Sequence, residues 1–225
     1  MTDMILFGVF PYVAVALMIG VGFYRFCVDR YSWSSQSSQF LESRVLFWGS
    51  VPWHYAILII LLAHFLAFLV PSGWGVLLGN PQRLYLLEVT GLALGLCTLI
   101  ALVLLIFRRI GDARVSAVTT VVDWLVFATL VLQVATGVYI AFTLRWGSVW
   151  YLHTASPWLW SLLKLDPQVH YLAALPGVVK LHAFNAFLII ALFPFSRLVH
   201  VVSVPLTYLS RPYQVVVWYR ARRAG

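Results

Sequence analysis

Five apolar runs dominate the chain, at residues 4–26, 48–70, 84–107, 121–144 and 176–204. Each is close to the roughly twenty residues that an α-helix needs to cross the hydrocarbon of a bilayer. The pattern therefore predicts an all-α, integral membrane bundle of five transmembrane helices, forming one domain over residues 1–225. Trp48, Trp53, Trp74, Trp124 and Trp146 fall near the ends of the runs, where an interfacial aromatic belt places them. Between the runs lie a polar, Ser-rich loop at 30–47, a short basic loop at 108–120 and a long aromatic segment at 145–175, expected to lie along the membrane interface. The first run has only Asp3 as a charge ahead of it and is followed by no convincing small-residue cleavage site. It reads as a retained span, not a signal peptide.

Composition sharpens this picture. Hydrophobic residues make up 62% of the chain and charged residues 10%, against roughly 25% charged in a soluble domain. The net charge of +8 sits in short loops and at the C-terminus. With no basic face interleaved with stacking aromatics, nucleic acid is excluded as a partner and lipid is the expected surroundings. With the N-terminus outside, eleven of the fifteen Lys and Arg residues fall on cytoplasmic segments and four, Arg83, Arg145, Lys164 and Lys180, on outer ones. The positive-inside rule thus predicts the N-terminus outside and the C-terminus in the cytoplasm. Cys27 and Cys97 fall at the end of one span and the middle of another, so they are expected to be ordinary buried side chains and not a disulfide.

Four histidines then change the reading from scaffold to chemistry. His54 and His64 lie on the second run, His182 and His200 on the fifth. On a continuous helix the last two share one face, about 27 Å apart, while His54 and His64 are about 15 Å apart and about 80° round their helix. The predicted topology makes the two runs antiparallel. If they are neighbours, His54 and His200 share one depth and His64 and His182 the other. Two bis-imidazole sites stacked across the membrane suit two b-type haems. The other reading is that each histidine only hydrogen-bonds a neighbouring helix. The unequal spacings require tilted helices or a bend, which Pro194 permits. His153 and His170, outside the runs, read as interfacial histidines. Asp123 reads as a helix-start acid, and Glu88 as an interfacial carboxylate or a proton acceptor. A transporter should show repeat symmetry or broken helices round a midplane site, and the sequence has neither.

Several stretches carry a family resemblance: FPFSRLVHVVSVPLTYLSRPYQ most specifically, with YSWSSQSSQFLES, HYAILIILLAHF and TTVVDWLVFATLVLQVATG. Over essentially its whole length the chain resembles the gamma subunit of respiratory nitrate reductase, a dihaem cytochrome b membrane anchor. The resemblance implies two haem b groups, with His54 and His200 on the proximal iron and His64 and His182 on the distal one. It implies quinol oxidation near the outer face, beside the distal haem, by a multi-pass subunit of a prokaryotic inner membrane. Electrons would leave through an iron–sulfur beta subunit for a molybdenum-containing alpha subunit, where nitrate is reduced. The chain would be the quinol-oxidising electron-transfer subunit of that enzyme and would not carry the nitrate-reducing site. A family lysine near the start of the third span is replaced here by GNPQRLYLLEV, where Arg83 is the nearest cation. Arg83 is accordingly expected to contact a quinol or a haem propionate, and Lys180 to pair with a distal propionate. The same type of anchor in a related molybdoenzyme or a nitrite-oxidising complex, and a haem-free anchor, are the competing readings. The basic tail RPYQVVVWYRARRAG is expected to dock a soluble partner.

Overall fold

A computed structural model describes residues 1–29, 32–33 and 37–202. The docking tail beyond Val202 therefore lies outside the described residues. Five helices are long and apolar enough to cross a membrane: Thr2–Val28, Arg44–Leu69, Pro81–Gly111, Val121–Thr143 and Gly177–Phe195. Among the described residues there is no β-strand. The second span packs along the third, the third along the fourth, the fourth along the fifth, and the fifth along the first. The second and fifth spans, which carry the histidines, share no extensive backbone packing.

Small residues make the close approaches, as expected where lipid removes any hydrophobic drive between helices. Ala14, Ala56, Ala67 and Ala101 are buried, while Leu58, Leu61, Ile100 and many other large apolar side chains face outward. A Cβ at Gly49 would come within 2.7 Å of the Leu105 side chain, so the second and third spans would have to shift to take one.

Helix ends follow local chemistry. Asn80 caps the third span, its side-chain oxygen accepting from the N–H groups of Gln82 and Arg83 at 2.9 and 3.3 Å, with Pro81 at the first turn. Thr120 and Asp123 form a reciprocal capping box at the start of the fourth span. Asp123 is thus the helix-start acid its position suggested, and it is also buried between Arg109 at 3.4 Å and Arg197 at 3.0 Å.

The fifth span departs from the expected continuous helix over 176–204. Its α-helix ends at Leu192, a 3-10 turn covers Phe193–Phe195, and Ser196 is extended. A second 3-10 turn, Arg197–Val201, then begins with Ser196 Oγ accepting from Leu198 N–H at 3.2 Å. Pro194 has no N–H to give and its ring crowds the preceding turn, so the helix stops there. Arg25 of the first span takes up the exposed carbonyls, donating to Pro194 at 2.7 Å and Ser196 at 3.2 Å. His200 therefore sits on a separate short turn, and the helical spacing of about 27 Å does not apply to it.

The aromatic segment 145–175 forms two short helices, Gly147–His153 and Ala155–Leu163, laid across one end of the bundle. Glu88 accepts from Ser148 N–H at 2.8 Å, which commits that carboxylate to the start of the first of them. Trp158 is 2% exposed and packs with Phe7, Leu162 and Leu172 in the main buried apolar cluster. The cysteines are free, but Cys27 is exposed and Cys97 half-buried. The expectation that both are buried is corrected: Cys27, in the last turn of the first span, is left exposed by the described residues.

Candidate functional site

His54 and His200 come together. Their ring centroids are 6.2 Å apart, with planes inclined at 71°. The δ nitrogen of His54 lies 2.6 Å from the Ser50 carbonyl, one turn back on its own helix, and 3.1 Å from Ser50 Oγ. That of His200 lies 2.8 Å from the Arg197 carbonyl. His64 repeats the arrangement with the Ile60 carbonyl at 2.8 Å. A carbonyl can only accept, so all three imidazoles carry their proton on the δ nitrogen. Among the described residues, their ε nitrogens make no hydrogen bond, which leaves a lone pair on each.

These features can be compared with what an iron between two imidazoles requires. A metal–nitrogen bond of about 2 Å, plus about 1 Å from nitrogen to ring centre, puts two opposed imidazole centroids about 6 Å apart. The 6.2 Å between His54 and His200 fits that requirement. So does the limited packing between the spans that bear them. A site with two protein ligands needs no cluster of three, and no group of three or more His, Cys, Asp or Glu occurs among the described residues.

His64 and His182 are not in the same state. His64 faces Tyr151 edge-on, with centroids 6.0 Å apart, and the Tyr151 hydroxyl lies 3.4 Å from the His64 carbonyl. Burial pushes the Tyr151 hydroxyl up to about 12, so it stays protonated at any physiological pH. His182 is held from the fourth span: its δ nitrogen is 2.9 Å from Thr136 Oγ1 and its ε nitrogen 3.1 Å from Gln133 Nε2. Asn185, fully buried one turn on, donates to Gln133 Oε1 at 2.8 Å and to the Thr129 carbonyl at 2.9 Å. Gly137 completes the cradle. A Cβ there would sit 3.1 Å from His182 Cε1.

The two cations expected near this pair are placed differently. Lys180 is bound to Asp3 of the first span at 3.0 Å. Arg83 is exposed, and among the described residues its guanidinium reaches only the Val76 carbonyl, at 3.5 Å. His153 and His170 are exposed and outside both histidine pairs, His170 lying against Tyr171 at 4.3 Å. Sequence reasoning passed over Gln133, Thr136 and Asn185. The available signal was two side-chain amides inside apolar spans, an expensive placement that asks for a partner.

Fold and site together define a five-span membrane protein with imidazoles on its second span, on its fifth span and on the short turn that follows the fifth. The nitrate reductase gamma subunit family model matches residues 3–219. The chain is 32% identical to the nitrate reductase gamma chain of Bacillus subtilis, over 99% of this chain and all of that one. It is 32% identical to the respiratory nitrate reductase 1 gamma chain of Escherichia coli, over 95% of this chain and 96% of that one. A nitrate reductase-like protein of Mycobacterium tuberculosis is 33% identical over 95% of this chain, which matches 33% of that longer protein. The chain belongs to the nitrate reductase gamma subunit family, and so to the membrane subunits of that oxidoreductase complex.

Proposed function

We propose that the chain is the dihaem cytochrome b of a quinol-oxidising nitrate reductase. His54 and His200 would hold one haem, and His64 and His182 the other. Two such groups, each held by two imidazoles, would supply one-electron exchange. The observation that carries this reading is the pairing of His54 with His200 at 6.2 Å, each with its δ nitrogen tied back to its own segment. Tying the δ nitrogen orients the ring, fixes the tautomer and raises the basicity of the ε nitrogen toward a metal.

The rest of the reading follows family and chain together. Quinol oxidation belongs to the end of the bundle that holds His64, with its protons released outside. The iron–sulfur beta subunit would dock at the cytoplasmic end that holds His54 and His200, and the alpha subunit would hold the molybdenum. The distribution of Lys and Arg supports the N-terminus outside and the C-terminus in the cytoplasm. Of the two cations, Arg83 is assigned the quinol contact, since its ties to the protein are weak. Lys180 gives one of its three donors to Asp3 and would offer the others to a haem propionate.

The test is a reduced-minus-oxidised optical spectrum with haem quantitation on the membrane-assembled complex. Two b-type haems per chain are expected, falling to one or none in His64→Ala and in His54→Ala. An Arg83→Ala complex should keep both haems and oxidise quinol more slowly. Absence of haem from a folded, assembled wild-type chain would reject the cytochrome reading in favour of a haem-free anchor.

A further inference from the structure

Three of the four intramembrane imidazoles are oriented by backbone carbonyls of their own segments. His182 alone is oriented by side chains of another helix. The bonds around it form one directed chain. Asn185 Nδ2 faces two acceptors, the Thr129 carbonyl and Gln133 Oε1, so the Asn185 amide can point only one way. That fixes the Gln133 amide with its nitrogen toward His182, donating to the ε nitrogen. On the other side, Thr136 Oγ1 lies 2.7 Å from the Leu132 carbonyl and 3.1 Å from that of Gln133, and its single proton goes to these acceptors. Its lone pair then receives the proton on the His182 δ nitrogen. Every partner demands the same tautomer, with the proton on the δ nitrogen and a lone pair on the ε nitrogen.

Resting on the haem assignment proposed above, we infer that Thr136 is the positioning residue of the His182 site: it selects the ligating nitrogen and sets how much electron density that imidazole offers an iron. Gln133 occupies the same ε nitrogen through a neutral amide hydrogen bond, a contact weak enough for a metal to displace. Accepting the δ proton makes an imidazole a stronger donor, which favours the oxidised metal. Thr136 therefore holds the reduction potential of this one haem below the value it would have without the hydroxyl. The His54–His200 pair, whose δ nitrogens are held by Ser50 and Arg197 of their own segments, is outside its reach.

The experiment is spectropotentiometric titration of the purified complex with Thr136→Val, Thr136→Ser and His182→Ala. Valine keeps the shape and removes the acceptor, while serine keeps the hydroxyl. His182→Ala identifies which of the two potentials belongs to this site. If His182→Ala retains both haems unchanged, the ligand assignment itself fails, separately from the role of Thr136. Given a His182-dependent haem, Thr136→Val should raise that potential alone and weaken retention of that haem by about tenfold or more. Thr136→Ser should behave as wild type. Loss of that haem in Thr136→Val with retention at the wild-type potential in Thr136→Ser supports the same role. Unchanged potentials in Thr136→Val, equal shifts in both haems, or the same defect in valine and serine variants would overturn it.

Discussion

At the residue scale, the site depends on positions that bear no chemistry themselves. Gly137 is one turn beyond Gln133 on the fourth span, and its missing Cβ gives His182 room at 3.1 Å. Both ring nitrogens of His182 are already bonded, so the ring cannot slide away without breaking a hydrogen bond. Gly137→Ala should therefore cost about 1–3 kcal/mol at this site through overpacking. On the dihaem assignment proposed above, haem content should drop from two toward one per chain, with the spectrum assigned to the His54–His200 site unchanged. Full haem content and wild-type potentials in Gly137→Ala would show that the ring has slack. The four histidines were legible in the sequence because an ionisable side chain within an apolar run stands out against its neighbours. The cradle round His182 was not. A glycine, a threonine and a glutamine on a different run acquire meaning only when helix packing sets them against that ring. Arg83 and Lys180 show the same limit from the other side: a cation near a ligand in sequence can be spoken for by a residue such as Asp3, far away in the chain.

At the element scale, the spans were legible because twenty apolar residues leave few choices, and the ends moved by at most four residues except in the fifth span, which stops at Phe195 and not at residue 204. The break in the fifth span was half legible. Pro194 marked a bend, yet a helical count through it gave His200 a distance it does not have. What sequence periodicity could not supply was the partner that makes the break affordable, Arg25 on the first span. Arginines near helix ends, read first as topology charges, turn out to be ties between elements. Arg108 is the clearest case: it is buried, pairs with Glu42 at 2.7 Å, and also donates to Ser38 Oγ and to the Ser38 and Glu42 carbonyls. Burial disfavours the Glu42 carboxylate. The N–H groups of Val45 and Leu46 and the Arg108 guanidinium outweigh that effect and hold the group below its ordinary value of 4.5. A carboxylate whose folded value is lowered contributes stability above its unfolded value, and loses it as the pH falls through the folded one. The tie between the first loop and the third span should hold at neutral pH and weaken only in acid below 4.5. The hydrogen-exchange protection factors of residues 37–43 should fall there. Glu42→Gln should raise exchange at pH 7 and flatten the acid response, and an acid response of wild-type size in that variant would assign it to another group.

At the scale of the whole molecule, the chain is an arc of helices closed at one end by the segment 145–175. That closure depends on indole N–H groups meeting carbonyls on the spans. Trp160 donates to the Phe68 carbonyl at 2.9 Å on the second span, and Trp158 to the Phe7 carbonyl at 3.0 Å on the first. Pro11, four residues on, has no N–H to give the Phe7 carbonyl, which lies in the π-helical turn Ile5–Val9. A proline in one span and a tryptophan about 150 residues later are thus one interaction, linking the end of the bundle near His64 to the N-terminal helix. Trp158→Phe keeps most of the apolar packing against Phe7 and Phe187 but removes the donor, leaving a buried carbonyl unpaired. The cost should be about 0.5–2 kcal/mol, the span of values found for interhelical hydrogen bonds in lipid. It should appear in mixed-micelle unfolding and as faster proteolysis within 145–175 before any span is cut. Pro11→Ala would give the Phe7 carbonyl a donor from its own helix, so the loss caused by Trp158→Phe should be smaller in that background. A double-mutant cycle measures this directly, with a coupling of at least about 0.5 kcal/mol expected for groups in contact. Strict additivity of the two substitutions would mean that the segment is held by packing of the Phe7, Leu162 and Leu172 cluster alone.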